Sequence, residues 1–307
     1  MVNVCEESYL FVLKCQINNI SSEYSGLLTS YENLQGIILI EDSIFSNIFA
    51  EYTIFDCSDT NLTIINCSFS SIVNFNIQAD SCLVYISKIY VQNMTCQNLV
   101  SGCVLTFYSQ SYLEITDSKL ENISNFNLLG NLYFEQSIAN ISNLLINDAY
   151  AGQNTGACLY SENSNISITN SMFQSYYYNC LNMIETVINL TNMTFDNTNV
   201  INLNLKGIIE NGAISCESCE SFIMQNSLIR KNTNSITGSG LMLINPNFQT
   251  SVNNFLVSNC TFESNEATDS GGAIYISSVI GKIISTLFYS NTANYGGGIY
   301  YFTSGIL

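Results

Sequence analysis

Apolar residues recur along this chain in short alternating stretches set between polar corners, not at helical spacing. VSNCTF (Val257 to Phe262), ISITNSMF (Ile166 to Phe173) and INLTNMTF (Ile188 to Phe195) each couple aliphatics to a corner of Asn, Ser or Thr and end on a large residue. Alternation with a period of two is the mark of a strand with one buried face. With the final large residue taken as an anchor, the anchors fall at Phe45, Phe69, Cys96, Leu120, Tyr150, Phe173, Phe195, Ile229, Phe262 and Phe288, at spacings of 22 to 34 residues.

Two columns accompany the anchors. Three residues before each stands Asp42, Asn66, Asn93, Asp117, Asn147, Asn170, Asn192, Asn226, Asn259 or Ser285, nine of the ten being Asn or Asp, although Asn and Asp together supply only 50 of 307 residues. Five residues before each stands an aliphatic, from Ile40 and Ile64 to Val257 and Ile283. A third column is a small residue leading an alternating stretch. It reads SCLVYIS from Ser81, SGCVLTFY from Ser101, TGACLYSE from Thr155, NCLNMIE from Asn179, NGAISCE from Asn211 and SGLMLIN from Ser239, then GGAIYIS and GGGIYYF. Each repeat therefore offers two or three short strands.

A unit this short cannot bury its own apolar face, but stacked copies can. If each repeat is one turn of a coil, every column becomes a ladder with a rise of about 4.8 Å. Aliphatic ladders then fill the bore, and Asn suits the corners because it tolerates left-handed backbone and can pass side-chain hydrogen bonds from turn to turn. The expected architecture is all-β: a parallel β-helix of about ten to twelve coils forming a single domain over residues 1–307. The chain starts within an apparent strand and stops soon after Gly297-Gly298-Ile299-Tyr300-Tyr301, so further repeats or partner chains are expected to cover its ends.

Composition narrows the function. Seven Lys and Arg against 24 Asp and Glu give a net charge of −17, which disfavours nucleic acid and anionic membranes as partners. Apolar runs such as IILI (Ile37 to Ile40) fall far short of the roughly 20 residues of a membrane helix, and MVNVCEESYLFVLK lacks the basic start of a signal peptide. Ten N-x-S/T sequons occur, at Asn19, Asn61, Asn66, Asn93, Asn122, Asn140, Asn165, Asn189, Asn192 and Asn259. Chance placement of 42 Asn and 61 Ser and Thr gives about as many.

FESNEATDSGGAIY (Phe262 to Tyr275) and FYSNTANYGGGIY (Phe288 to Tyr300) resemble the FxxN and GGA[ILV] repeats of polymorphic outer-membrane proteins and of similar surface proteins of single-celled eukaryotes. Earlier repeats keep the corner Asn and the strand but not FxxN. The resemblance implies a right-handed, pectin lyase-like β-helix used in adhesion and surface display, at a cell surface or outside the cell, with a protein or glycan ligand.

An enzyme is the competing class. Relatives of this fold that cleave polysaccharides resemble one another in using a basic residue with calcium-binding carboxylates, or aspartates with a histidine. Here Arg230 and Lys231 are the only paired bases and histidine is absent, which removes the commonest general base. A carbohydrate-active enzyme would have to rely on a carboxylate pair, Asp56 with Asp59 or Glu217 with Glu220 by spacing. Exposed turn carboxylates explain both pairs as well. Cys216 and Cys219 form a lone CxxC, read as a local disulfide or plain thiols, since zinc would need two further ligands. Cys82, Cys103, Cys158 and Cys180 share the small-residue column and are expected to be free thiols. YYYN (Tyr176 to Asn179) is either a sugar-stacking platform or mixed core and surface packing, and the long repeats between Phe195 and Phe262 carry extra loop residues. No catalytic, cofactor or metal residue is assigned, and the expected function is a non-enzymatic structural or adhesive module.

Overall fold

The structure is a computed structural model describing residues 2–4, 9–22, 28–30, 36–50, 54–96, 103–125, 130–150, 157–176, 179–197, 212–233, 235–246 and 254–302. Three long sheets run along it, twelve strands in sheet A and eleven each in sheets B and C. Successive strands visit A, B and C in turn, with Ser235–Thr237 and Ala267–Ser270 pairing as an added two-stranded sheet between C and A, and every pairing is parallel, so each circuit is one coil of a β-helix. The coil is right-handed, the hand that twisted strands favour in parallel crossovers. Eleven coils and a twelfth sheet A strand, Ile299–Phe302, stand roughly 50 Å tall at about 4.8 Å per coil.

The core is a set of vertical rows. In sheet B, Ile40, Ile64, Ile86, Ile115, Ile141, Ile168, Leu190, Met224 and Val257 pair in register and are all buried. In sheet C the row is Phe45, Phe69, Val91, Leu120, Ile146, Phe173, Phe195, Ile229, Phe262 and Phe288. Rings stack within it, Phe45 on Phe69 at 4.9 Å and Phe262 on Phe288 at 5.4 Å between centroids. Each buried side chain of this size contributes roughly 1.5–3 kcal/mol.

That row corrects the alignment in two coils, where the anchors are Val91 and Ile146 instead of Cys96 and Tyr150. The residues three before them are Lys88 and Asn143, not Asn93 and Asn147. In the first of these coils the cause is a second left-handed position five residues beyond the first. The corner after sheet B has positive φ at Asp42, Asn66, Lys88, Asp117, Asn143, Asn170, Asn192, Asn226, Asn259 and Ser285. A bend within or just after most sheet C strands repeats it, at Asn19, Asn47, Ser71, Asn93, Asn122, Asp148, Ser175, Lys231, Ser264 and Ser290. Asn and Asp favour both sites, so a repeat with Lys at the first site is read off the second.

The corners hold the coils together. After the first left-handed residue comes a buried Ser or Cys in most coils. Ser118 Oγ donates to the Thr116 carbonyl at 2.7 Å and accepts the Ile89 N–H of the coil below at 3.3 Å. Ser227 does the same with Gln225 and Met193. Exposed amides cross-link the same corner, Asn66 donating to Asp42 at 2.6 Å, Asn143 to Asp117 at 2.8 Å and Asn192 to Asn170 at 2.9 Å.

Two cysteine placements differ from the sequence expectation. Cys82 belongs to the corner between sheets A and B, because Leu83–Ser87 is a sheet B strand. Cys103 is no free thiol: it is bonded to Cys96, across the connection from sheet C to sheet A. The pairing runs along the chain, so the poor geometry between directly stacked strands never arises. Cys158 and Cys180 are free, stacked and fully buried, and burial drives the Cys180 thiol far up. Cys216 and Cys219 form a disulfide.

Candidate binding surface

Two lateral regions carry the chemistry that the core leaves over. The first is the outer face of sheet A, where Tyr133 stacks on Tyr160 at 5.5 Å and meets Tyr108 edge-on at 5.5 Å. Tyr133 donates to Glu135 Oε2 at 2.8 Å and Tyr160 to Glu162 Oε2 at 3.3 Å. Burial, then Glu162, pushes the Tyr160 phenol up to about 12, and burial with the Glu135 hydrogen bond raises Tyr133 further. Both phenols therefore stay protonated as donors. Their ring faces cover one another, so the strip presents edges and carboxylates instead of open aromatic faces.

The carboxylate pairs proposed from spacing are split by the coil. Asp56 lies on the outer face of sheet A and Asp59 at the following corner with φ 51°. The carboxyl that acts on Asp56 is that of Asp80, one coil on; with burial as the larger cause, it lifts Asp56 above its ordinary value. Glu217 lies in the sheet A column of Glu162, while Glu220 lies beyond the corner. Arg230 is spent on an ion pair with Asp196, and Lys231 occupies a left-handed bend. In YYYN, Tyr176 is fully buried and Asn179 is buried, whereas Tyr177 and Tyr178 lie outside the described residues. Of the long repeats, residues 198–211 and 247–253 also lie outside them.

The second region was not foreseen. A hollow of about 290 Å³ at the corner between sheets A and B is lined by Gln136, Ser137, Ile138, Asn163, Ser164, Asn165, Glu185, Val187 and Glu220. Gln136, Asn163 and Glu185 are successive left-handed corner residues, with φ of 50°, 49° and 48°. Ile138, Asn165 and Val187 open the sheet B strands in register beside them, and buried Ser137 and Ser164 lie between the two rows. The fourth coil has one residue more at its corner, Glu220, placed directly after the Cys216–Cys219 disulfide. The signal was present in CESCE as a corner longer by one, but only the stacking shows what it closes.

All ten sequon asparagines are exposed. Alternation explains this, since N-x-S/T matches an outward polar, inward apolar, outward polar stretch.

Fold and surface thus define a right-handed β-helical solenoid with a polar, acidic exterior. Residues 259–277 match the repeat model of the Chlamydia polymorphic membrane proteins, and the chain resembles that family in this stretch. No curated protein matches the chain. Among solved structures, the receptor-binding domain of the siphovirus 9NA tailspike is similar at 8% identity, over 98% of this chain and 73% of its own, with a TM-score of 0.23.

Proposed function

We propose that this chain is a non-enzymatic structural and adhesive module of a cell-surface or extracellular protein, holding a protein or glycan ligand on its lateral faces. The observation that carries the reading is the unbroken register of its rows through ten successive coils, which makes a stiff rod whose outer faces stay in fixed array. Several polar groups outside the core, among them the corner amides of Asn66, Asn143 and Asn192 and the guanidinium of Arg230, hold one coil to the next. The polymorphic membrane protein-like repeat at 259–277 supports the surface placement, and the charge of −17 argues against nucleic acid. Apolar side chains of the last coils are exposed, Ile280 at 63% and Leu287 at 59%, and a further repeat or a partner chain would cover them.

A specific observation keeps a hydrolase as the second reading, because Glu185 and Glu220 share one hollow. Both are tested together by coating beads with the chain and exposing them to host-type cells and to immobilised polysaccharides. Retention without release of new reducing or unsaturated ends is expected. Product release would establish the hydrolase instead, and beads that adhere to nothing would remove the adhesive reading.

A further inference from the structure

Some corner asparagines elsewhere pair with one another or with an aspartate, as in Asn66 to Asp42, Asn122 to Asn93 and Asn192 to Asn170, while Asn226 and Asn259 stand singly among the described residues. The hollow between sheets A and B is different. The side chains of Gln136, Asn163, Asn165, Glu185 and Glu220 make no hydrogen bond or ion pair with the described residues, although they converge on one depression. Its inner wall is already satisfied: Ser137 Oγ donates to the Glu135 carbonyl at 2.9 Å, and Ser164 Oγ donates to the Glu162 carbonyl at 2.8 Å while accepting the Ser137 N–H at 3.2 Å. These five exposed groups are not committed to the fold and are gathered in one depression, where a ligand could exchange for their water.

We propose that this hollow binds a neutral oligosaccharide lying along the coil axis, which gives the adhesive reading, on which this inference rests, a substrate class and a place. The primary amides of Gln136, Asn163 and Asn165 supply donors and acceptors, and the Glu185 and Glu220 carboxylates are acceptors suited to hydroxyl donors. Ile138, 47% exposed, and Val187 give apolar surface for the C–H face of a sugar ring. Corners one coil apart repeat at about 4.8 Å, so the row spans roughly 10–15 Å, several sugar units long. The two glutamates, in a chain of charge −17, repel uronates, sialosides and phosphates. Glu220, the extra residue of its corner, lines the hollow at its upper end.

The test uses the whole chain on an array of neutral tetrasaccharides built from glucose, mannose, xylose or N-acetylglucosamine, with tetragalacturonate as the anionic control. The variants are Glu185→Gln, an amide already tolerated at the equivalent Gln136, and Glu220→Gln. Asn163→Gly removes the amide while keeping the left-handed backbone, and Asn61→Ala is a distant control. At least one neutral tetrasaccharide is expected to be retained, with binding reduced tenfold or more by each hollow variant, unchanged by the control and accompanied by unchanged melting temperatures. Equal binding by the hollow variants, retention of tetragalacturonate alone, or retention of no tetrasaccharide would each overturn the site. Cell adhesion by the same protein would then still stand, which separates failure of this site from failure of the adhesive reading.

Discussion

The same inward position is filled in two ways along this rod. Just after the sheet C bend, the early coils place Ile48, Ile72, Met94, Ile123 and Ala149, all buried and apolar. The late coils place Asn232, Asn265 and Asn291, the last two being the asparagines of FxxN and the first following Ile229. The backbone entering the position is alike, with positive φ at the preceding residue in both sets. In the late coils each amide does what main chain does elsewhere. Asn265 Nδ2 donates to the Ile229 carbonyl at 3.0 Å, and its Oδ1 accepts from the Asn232 amide at 2.8 Å and backbone N–H at 3.2 Å. Asn291 repeats this on Phe262 and Asn265. The comparison teaches that FxxN is a hydrogen-bonding device. It satisfies backbone groups at a sharp exit from sheet C, where the early coils instead carry main-chain strand pairing past the bend over buried apolar side chains.

Moving an amide into the apolar set breaks the comparison most severely. Ile123→Asn would bury an amide between Met94 and Ala149, neither of which can partner it. A cost of roughly 4–6 kcal/mol is expected from lost burial plus an unsatisfied polar group. Chemical denaturation should show it, and a cost under about 1 kcal/mol would mean that the position is not truly dry. The converse, Asn265→Ala, removes partners from the Ile229 carbonyl and the Asn232 N–H. It should cost about 3 kcal/mol, since each orphaned buried group costs about 1–3. A silent Asn265→Ala would show that the late ladder is ornamental.

These two variants also mark what was legible in the sequence. Alternation, corner amides and the coil were readable because burial by stacking forces them to recur. The register failed at Lys88 because the left-handed corner tolerates a residue outside the expected class, while Asn93, five residues on, satisfied the pattern at a different bend. Cys103 was misread since its partner, Cys96, had been assigned the anchor role that belongs to Val91. The hollow was invisible for a deeper reason. Gln136, Asn163, Glu185 and Glu220 are unlike in type and lie up to 84 positions apart, so only the vertical alignment of four coils brings them together.

The last and smallest effect is expected at the seam between the two interiors. Tyr176 occupies the same row as Ala149 below it, and its hydroxyl donates to Asn232 Oδ1, tying the last early-type position to the first asparagine of the late ladder. Tyr176→Phe leaves the packing and removes this one donor, so a loss of about 1 kcal/mol is expected at neutral pH. The alkaline limb is more telling. Complete burial holds the Tyr176 phenol well above its ordinary value, so the folded chain keeps a proton that the unfolded chain releases near pH 10. Above that pH the unfolded state binds fewer protons, and stability falls as pH rises. Tyr133 and Tyr160 add to the fall in both proteins, so the difference between wild type and Tyr176→Phe isolates this one group. Melting temperatures measured from pH 8 to 11.5 should therefore start apart and converge above about pH 10. Curves that stay parallel would mean that Tyr176 does not bury its hydroxyl in the asparagine ladder, and the two interiors would then be joined by apolar contact alone.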